Sequence, residues 1–167
     1  MLSFADLETP LRPTLDPRVH LEVKDRAVTS EHVRQAEFVA TMRKVARRCM
    51  VFAVPNGTNI PSVKGRAKVK AEGLLSGVPD LQVWWAGGVA HVEFKNGKDM
   101  PDPNQVERLN WFVERDVPCM VARTATGAMS WLRAIGAPVP TISIQSGSGG
   151  DCRRSGAVSP IGRQHRG

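Results

Sequence analysis

The sequence is poor in cysteine and lacks the long apolar runs of a membrane protein. Its three cysteines, Cys49, Cys119 and Cys152, are odd in number and widely spaced, so neither a disulfide framework nor a zinc site is indicated. No apolar stretch approaches the length of about 20 residues that a helix needs to span a bilayer. The first residues also lack the basic-then-apolar layout of a secretory signal. We therefore expect a cytoplasmic protein without a membrane partner.

Two common site motifs are missing as well, while positive charge is abundant. No G-x-x-x-x-G-K-[ST] loop occurs, so ATP use is not indicated, and the histidines show no metal-binding spacing. The 23 Lys and Arg residues outnumber the 16 Asp and Glu residues, which gives a formal net charge of +7. Such an excess favours a polyanionic partner, because basic side chains displace counterions from phosphates.

Breaker residues divide the chain into three parts. Residues 1–28 contain Pro10, Pro13 and Pro17 without a sustained period, which predicts an extended N-terminal arm or an irregular layer over the core. Residues 29–142 alternate helical and strand patterns and are long enough to form one domain. Residues 143–167 begin with a Gly- and Ser-rich linker and continue with arginines, so we expect a disordered basic tail.

The middle part has the order helix, strand, strand, strand, helix, strand, helix, which predicts an α/β fold with a mixed central sheet flanked by helices. The predicted helices run from Ser30, from about 104 to 115 and from about 126 to 135, and the predicted strands cover 50–54, the hairpin between Asp80 and Lys95, and 117–122. Residues 57–73 are interpreted as a basic loop or loop-plus-turn. In the first helix the apolar stripe, extended backwards, places Glu31 and Gln35 inward.

The segment Gly77-Val78-Pro79-Asp80, followed by a hairpin and Val92-Glu93-Phe94-Lys95, carries the most informative pattern. Side chains alternate along a strand, so Glu93 and Lys95 share one face while Val92 and Phe94 point to the other. Charged groups on a buried strand are unfavourable unless they are paired or bind a metal. The alternative is a half-exposed strand whose charged face meets water.

These residues suit phosphodiester hydrolysis. Asp80 and Glu93 could hold Mg²⁺ or Mn²⁺, with the backbone carbonyl of Phe94 as a further oxygen ligand. Lys95 would lie one pleat beyond Glu93, where it could orient or polarise the attacking water. The basic cluster just upstream indicates contact with a DNA backbone or, alternatively, a solvated loop; it consists of Lys64, Arg66, Lys68 and Lys70.

In its motifs the chain resembles the PD-(D/E)XK nuclease superfamily, and specifically its VRR-NUC branch with small phage and bacterial members. The resemblance covers roughly residues 30 to 135. It rests on Ser30-Glu31-His32 with Gln35, Ala53 to Gly57, Lys70 to Gly73, Gly77 to Leu81, Val92 to Lys95, and Pro103-Asn104-Gln105. The family often has a serine shortly before that glutamine; here Asp102-Pro103-Asn104 stands there, and Asn104 could cap the helix instead.

The resemblance implies a restriction-endonuclease-like core in residues 29–142. It also implies that Glu31, Asp80 and Glu93 are metal-site acids, with Glu31 contributing to catalysis. Lys95 would be the catalytic lysine and Gln105 a supporting residue of the active site.

The function that we predict is that of a Mg²⁺- or Mn²⁺-dependent DNA endonuclease. Its expected partner is branched or duplex DNA, and the resemblance implies structure-directed cutting of branched or flap-like DNA more than sequence-specific restriction. We expect it in the cytoplasm of a host cell if it is phage-encoded. A homodimer would suit a two-fold DNA junction. Two alternatives stay open: a non-catalytic nucleic-acid-binding protein on the same scaffold, and an RNA-directed nuclease.

Overall fold

The protein has an α/β fold in a computed structural model, which describes residues 12–24, 26, 29–54 and 62–141, with Arg66 described by its backbone alone. Within these residues four helices accompany a five-stranded sheet. The helices are α1 (Glu31–Val45), α2 (Val63–Ala71), α3 (Pro103–Val113) and α4 (Ala125–Ala134). The strands are β1 (His20–Leu21), β2 (Cys49–Ala53), β3 (Leu81–Trp85), β4 (Gly88–Phe94) and β5 (Cys119–Ala122).

The sheet has the order β1-β5-β4-β3-β2 and is mixed. The pairs β2–β3 and β3–β4 are antiparallel, whereas the pairs β4–β5 and β5–β1 are parallel. Parallel neighbours require a crossover, and helix α3 makes it between β4 and β5. The predicted α/β class, with a mixed sheet flanked by helices, is therefore confirmed.

The larger core lies on the face of the sheet that packs against α1 and α4. Apolar residues at alternate positions of the strands meet the apolar sides of these two helices, and burying them supplies the main driving force for this layer. The principal members are Phe38, Met42, Leu81, Val83, Val92, Phe94, Met120, Met129 and Leu132. Val92 and Phe94 thus occupy the face opposite Glu93, as the alternation predicts.

A smaller core lies under α3 on the opposite face. Leu109 and Val113 of α3 pack against Cys119 and Val121 of β5, together with Val19 from just before β1. The predicted apolar stripe of this helix is therefore confirmed. Because α3 lies over the β5 side of the sheet, it is well placed to reach the side chains of β4.

The structure corrects the prediction for residues 57–73. Residues 62–73 of this stretch are described, and α2 occupies most of them, so the predicted basic loop is wrong there. The Ser62 side chain accepts a hydrogen bond from the backbone N–H of Gly65 and caps the helix. With few apolar residues and one glycine, the segment lacks the periodicity by which a surface helix is recognised in a sequence.

Strand β1 was not expected from the proline-rich N-terminal segment. It pairs in parallel with the edge of β5, with His20 opposite Met120. At the other edge, β2 was predicted to be a buried strand, but Val51 is buried while Met50 is 60% exposed. An edge strand has only one sheet neighbour, so alternate residues stay accessible.

The buried face of α1 is displaced by one residue from the predicted one, which would have placed Glu31 and Gln35 inward. Arg34, Phe38 and Met42 are its buried residues, while Glu31 and Gln35 lie at the margin and are half-buried. Among the described residues no helix combines the length and apolarity needed to cross a bilayer. The predicted tail at 143–167 lies outside the described residues.

Candidate active site

The turn before β3 is held against the start of α3. Gly77 has a φ of +78°, and a Cβ atom there would lie 2.4 Å from the backbone oxygen of Asn104. Only glycine suits both the left-handed conformation and this close approach. The following Val78 and Pro79 are buried, so Asp80 is delivered at a fixed point beside the end of β4.

Asp80 and Glu93 are linked by reciprocal hydrogen bonds. The backbone N–H of Asp80 donates to Glu93 Oε2 at 3.1 Å, and the backbone N–H of Phe94 donates to Asp80 Oδ2 at 3.1 Å. Each carboxylate therefore satisfies a backbone donor of the other strand. This exchange brings the two predicted acids together at the carboxyl end of β4.

Glu93 is completely buried and accepts hydrogen bonds at both of its oxygens. Lys95 Nζ lies 2.7 Å from Glu93 Oε1, and Gln105 Nε2 donates to the same oxygen at 2.5 Å. Burial, followed by the negative charge of Asp80, raises the pKa of Glu93 to about 7, although Lys95 acts in the opposite direction. The half-exposed alternative for this strand is thus wrong.

Lys95 lies immediately beyond β4 and is 9% exposed. Burial by itself would lower the pKa of its ammonium group, but the carboxylates of Glu93, Glu31 and Asp80 outweigh burial and raise it above the ordinary value. The lysine therefore stays charged at neutral pH. It can act as a positive charge and hydrogen-bond donor in this site.

Gln105 is oriented by the start of α3. Asp102, not Asn104, is the N-cap, so the predicted cap is wrong. Asp102 Oδ1 accepts from the backbone N–H of Gln105, and Gln105 Oε1 accepts from the backbone N–H of Asp102 at 2.9 Å. This capping box fixes the amide oxygen of Gln105 and turns its NH₂ group towards Glu93.

Glu31 reaches the same region from the first turn of α1. Its Oε1 accepts a hydrogen bond from the backbone N–H of Asn96 at 3.2 Å. The N–H and C=O groups of one strand residue lie on the same edge, so the Phe94 carbonyl faces the Asp80 side of β4. Of the predicted active-site residues, Asp80, Glu93, Phe94, Lys95 and Gln105 are joined by hydrogen bonds, whereas Glu31 contacts Asn96 and acts on Lys95 by its charge.

The donor set can be compared with the needs of a divalent cation. Within the described ranges no three His, Cys, Asp or Glu side chains converge as a metal-binding group. A site for Mg²⁺ or Mn²⁺ would therefore rely on Asp80 and Glu93, with the Phe94 carbonyl, water and substrate oxygens. Mg²⁺ is commonly held by one or two carboxylates plus water and phosphate, so the residues fit this ion. A nearby cation would also offset the repulsion between the two acids.

The predicted DNA-contacting residues all belong to α2. Lys64, Lys68 and Lys70 are exposed, and the side chain of Arg66 lies outside the description. Lys68 forms an ion pair with Glu72 at 3.8 Å. Exposed lysines on one short helix suit contact with phosphates, which positions a nucleic acid without reading its sequence.

Several buried polar residues near the site were not predicted. Arg123 is fully buried and donates to the backbone oxygen of Asn96 at 3.1 Å. Arg34 of α1 donates to the backbone oxygen of Arg123. The Glu22 carboxylate accepts from the backbone N–H groups of Arg123 and Thr124 at the start of α4. These contacts join segments far apart in the chain, so no local pattern could have revealed them.

In comparisons with known proteins, no family model, curated protein or solved structure matches the chain. Membership of the VRR-NUC family therefore stays a prediction that rests on the quoted motifs. The geometry of the residues carries the functional reasoning that follows.

Proposed function

We propose that the protein is a metal-dependent DNA endonuclease with a PD-(D/E)XK-type active site. One observation carries the proposal: Asp80, Glu93, Lys95 and Gln105 form a connected hydrogen-bonded group around the fully buried Glu93 carboxylate. Burying a charged group lowers the stability of the folded state unless the group is paired. A group of residues with perturbed pKa values beside a basic surface is therefore a candidate for catalysis.

The residues support definite roles in phosphodiester hydrolysis. A divalent ion bound between the carboxylates would neutralise phosphate charge and lower the pKa of water. Lys95 would hold the attacking water or the scissile phosphate by its ammonium group, which stays protonated. Gln105 would keep the Glu93 carboxylate in place, and Glu31 would add negative charge next to Lys95.

The decisive experiment is cleavage of supercoiled, linear and four-way-junction DNA in the presence of Mg²⁺, Mn²⁺ or a chelator. We expect cleavage only with metal, and we expect Asp80→Ala and Lys95→Ala to abolish it. Glu107→Gln is a matched control, because Glu107 is an exposed acid of α3 outside the site. Unchanged cleavage by either site variant would show that the proposed site is wrong.

Metal binding can be measured without any activity. At pH 8, Mg²⁺ or Mn²⁺ should raise the melting temperature of the wild type, since a ligand that binds only the folded state stabilises it. Asp80→Ala should lose this shift, and Glu107→Gln should keep it. An equal shift in all three proteins would place the ion elsewhere.

A non-catalytic nucleic-acid-binding protein is the second candidate. It is favoured by the full engagement of Glu93 with protein donors and by the lack of a three-residue metal group among the described residues. A wild-type protein that binds DNA but never cuts it, with either metal, would support this candidate. Preferential cutting of RNA in the same assay would instead support an RNA-directed nuclease.

The preference for branched DNA rests on the family resemblance, and the homodimer rests on the two-fold symmetry of a DNA junction. A two-fold dimer would present two sites symmetrically to a four-way junction. Sedimentation at the protein concentration of the cleavage assay tests this expectation. A monomer that cleaves junctions fully would contradict it.

A further inference from the structure

On the sheet face that carries Glu93, some large side chains are left accessible by the described residues. Helix α3 lies over the β5 side, whereas β2 and β3 leave large side chains accessible. Met50 and Trp84 are direct cross-strand partners and are 60% and 46% exposed. The indole N–H of Trp84 donates to Gln82 Oε1 at 3.0 Å, which fixes the ring orientation. A partly exposed indole, hydrogen-bonded to Gln82, therefore lies next to the edge of the sheet.

An open groove of about 590 Å³ borders this surface at Gln82. Most of its lining is apolar and comes from Val54, Val69, Leu74, Leu75, Val78 and Phe112, and Gln82 connects it to Trp84. The volume is in the range of ligand sites in proteins.

The groove borders the candidate site on two sides. Val78 precedes Asp80 by two residues in the buried turn. The Phe112 ring stacks on His91 with centroids 3.9 Å apart, and His91 precedes Glu93 by two residues on the same face of β4. A chain occupying the groove would therefore lie beside the group of Asp80 and Glu93.

The charged residues around the groove indicate which class of ligand it would bind. Helix α2 contributes Val69 to the lining and exposes Lys68 and Lys70 on either side of it. Glu72 is the acid in the lining, and it is paired with Lys68. An apolar lining beside exposed lysines is complementary to unpaired nucleotides, because their bases offer apolar faces and their phosphates carry negative charge. A paired duplex hides those base faces within its stack.

We propose that this groove, together with Trp84, binds the unpaired nucleotides of a DNA substrate next to the cleavage site. Trp84 is the stacking platform, and Leu75, which is 48% exposed, forms an apolar wall for the base. The inference rests on the proposed function for the identity of the ligand as DNA. It supplies a physical basis for selecting branched or flap-like DNA, which exposes single-stranded segments beside a duplex.

Binding is measured by fluorescence anisotropy in EDTA, so that no cleavage occurs. The two probes are a labelled duplex with a single-stranded oligothymidine arm and the same duplex without the arm, at one salt concentration. Trp84→Ala should weaken binding of the armed probe about fivefold or more, as expected for loss of one stacked base. Leu75→Gln should weaken it in the same direction, while the blunt duplex should bind each variant within about twofold of wild type.

Two variants serve as controls. Trp84→Phe keeps an aromatic face and should retain binding of the armed probe. Leu21→Gln changes an equally accessible leucine, 40% exposed, on β1 at the opposite edge of the sheet, and should bind both probes like wild type. Circular dichroism and melting curves verify that all variants are folded.

Equal weakening of both probes by Trp84→Ala, or no weakening of either, would overturn the inference. So would a dimer in sedimentation that Trp84→Ala dissociates, because a second copy of the chain would then occupy the surface. The proposed function fails separately: a wild-type protein that selects the armed probe but never cleaves with metal refutes the nuclease alone. A wild-type protein that cleaves DNA, but whose Trp84 and Leu75 variants bind normally, refutes this inference alone.

Discussion

Replacement of Glu93 by glutamine should change how the stability of the protein depends on pH. The side chain is fully buried, and burial together with the charge of Asp80 raises its pKa from 4.5 to about 7. The folded protein therefore binds this proton more tightly than the unfolded chain does. It follows that Glu93 makes the free energy of unfolding decrease as the pH rises from 4.5 through 7, with no further loss above that range.

The size of the effect follows from the two pKa values. One pKa unit corresponds to about 1.4 kcal/mol, so the whole shift is worth roughly 3 kcal/mol, most of which is lost between pH 5 and pH 8. Glutamine cannot titrate, and it keeps the shape of the side chain and one acceptor for Lys95. The free energy of unfolding of Glu93→Gln, relative to wild type, should therefore be more favourable at pH 8 than at pH 5 by roughly 2 to 3 kcal/mol.

Urea unfolding at several pH values, with a chelator present, measures this difference. Other groups titrate in the same range, above all His91, but their contributions are common to both proteins and cancel. Glu107→Gln is the control and should run parallel to wild type. If the stabilities of Glu93→Gln and wild type also run parallel from pH 5 to pH 8, the raised pKa of Glu93 is refuted, and with it the effect of burial and of Asp80 on this carboxylate.

Three further predictions concern other buried groups and the cap of α3. Burial lowers the pKa of His91 from 6.5 to about 4, so wild type should lose stability as the pH falls through this range, and His91→Leu should lose less in acid unfolding curves. Burial raises the pKa of the Cys119 thiol to about 12, so iodoacetamide at pH 8 should modify it only in urea, as peptide mass mapping would show. Asp102→Ala should destabilise the protein by about 1 kcal/mol in urea unfolding, whereas Asp102→Asn should retain most of the stability. Rapid labelling of Cys119 in the native protein would contradict its burial, and a loss of stability in acid by His91→Leu as steep as that of wild type would contradict the lowered pKa of His91. An Asp102→Ala variant as stable as wild type would contradict the role of Asp102 as a cap.

The elements with a clear hydrophobic period were predictable. Helix α3 follows the pattern of Val106, Leu109 and Val113, and the hairpin follows the glycines between two apolar runs. Helix α2 has no such pattern, because it lies at the surface and buries little. Its N-cap Ser62 was a local signal, but a cap without an apolar stripe is weak support for a helix.

Those residues of the candidate site that belong to short sequence motifs were predictable. The charged residues on a strand with apolar neighbours indicated Glu93 and Lys95, and the family resemblance added Glu31 and Gln105. The cap of α3 was readable too, since an aspartate followed by Pro103 and by a glutamine three positions later is a capping-box pattern. Asn104 was nevertheless named as the possible cap, because asparagine also suits that position.

The sequence by itself determined which groups are available and which face of β4 carries them, because side chains must alternate along a strand. Tertiary structure alone decided that this face is buried, that the backbone N–H of Asp80 donates to Glu93 while that of Phe94 donates to Asp80, and that Gln105 reaches the Glu93 carboxylate. It also decided that β2 and β3 leave a groove open beside the site. These features depend on contacts between segments that are distant in the chain, and the energy of a buried charge depends on what surrounds it rather than on its neighbours in sequence.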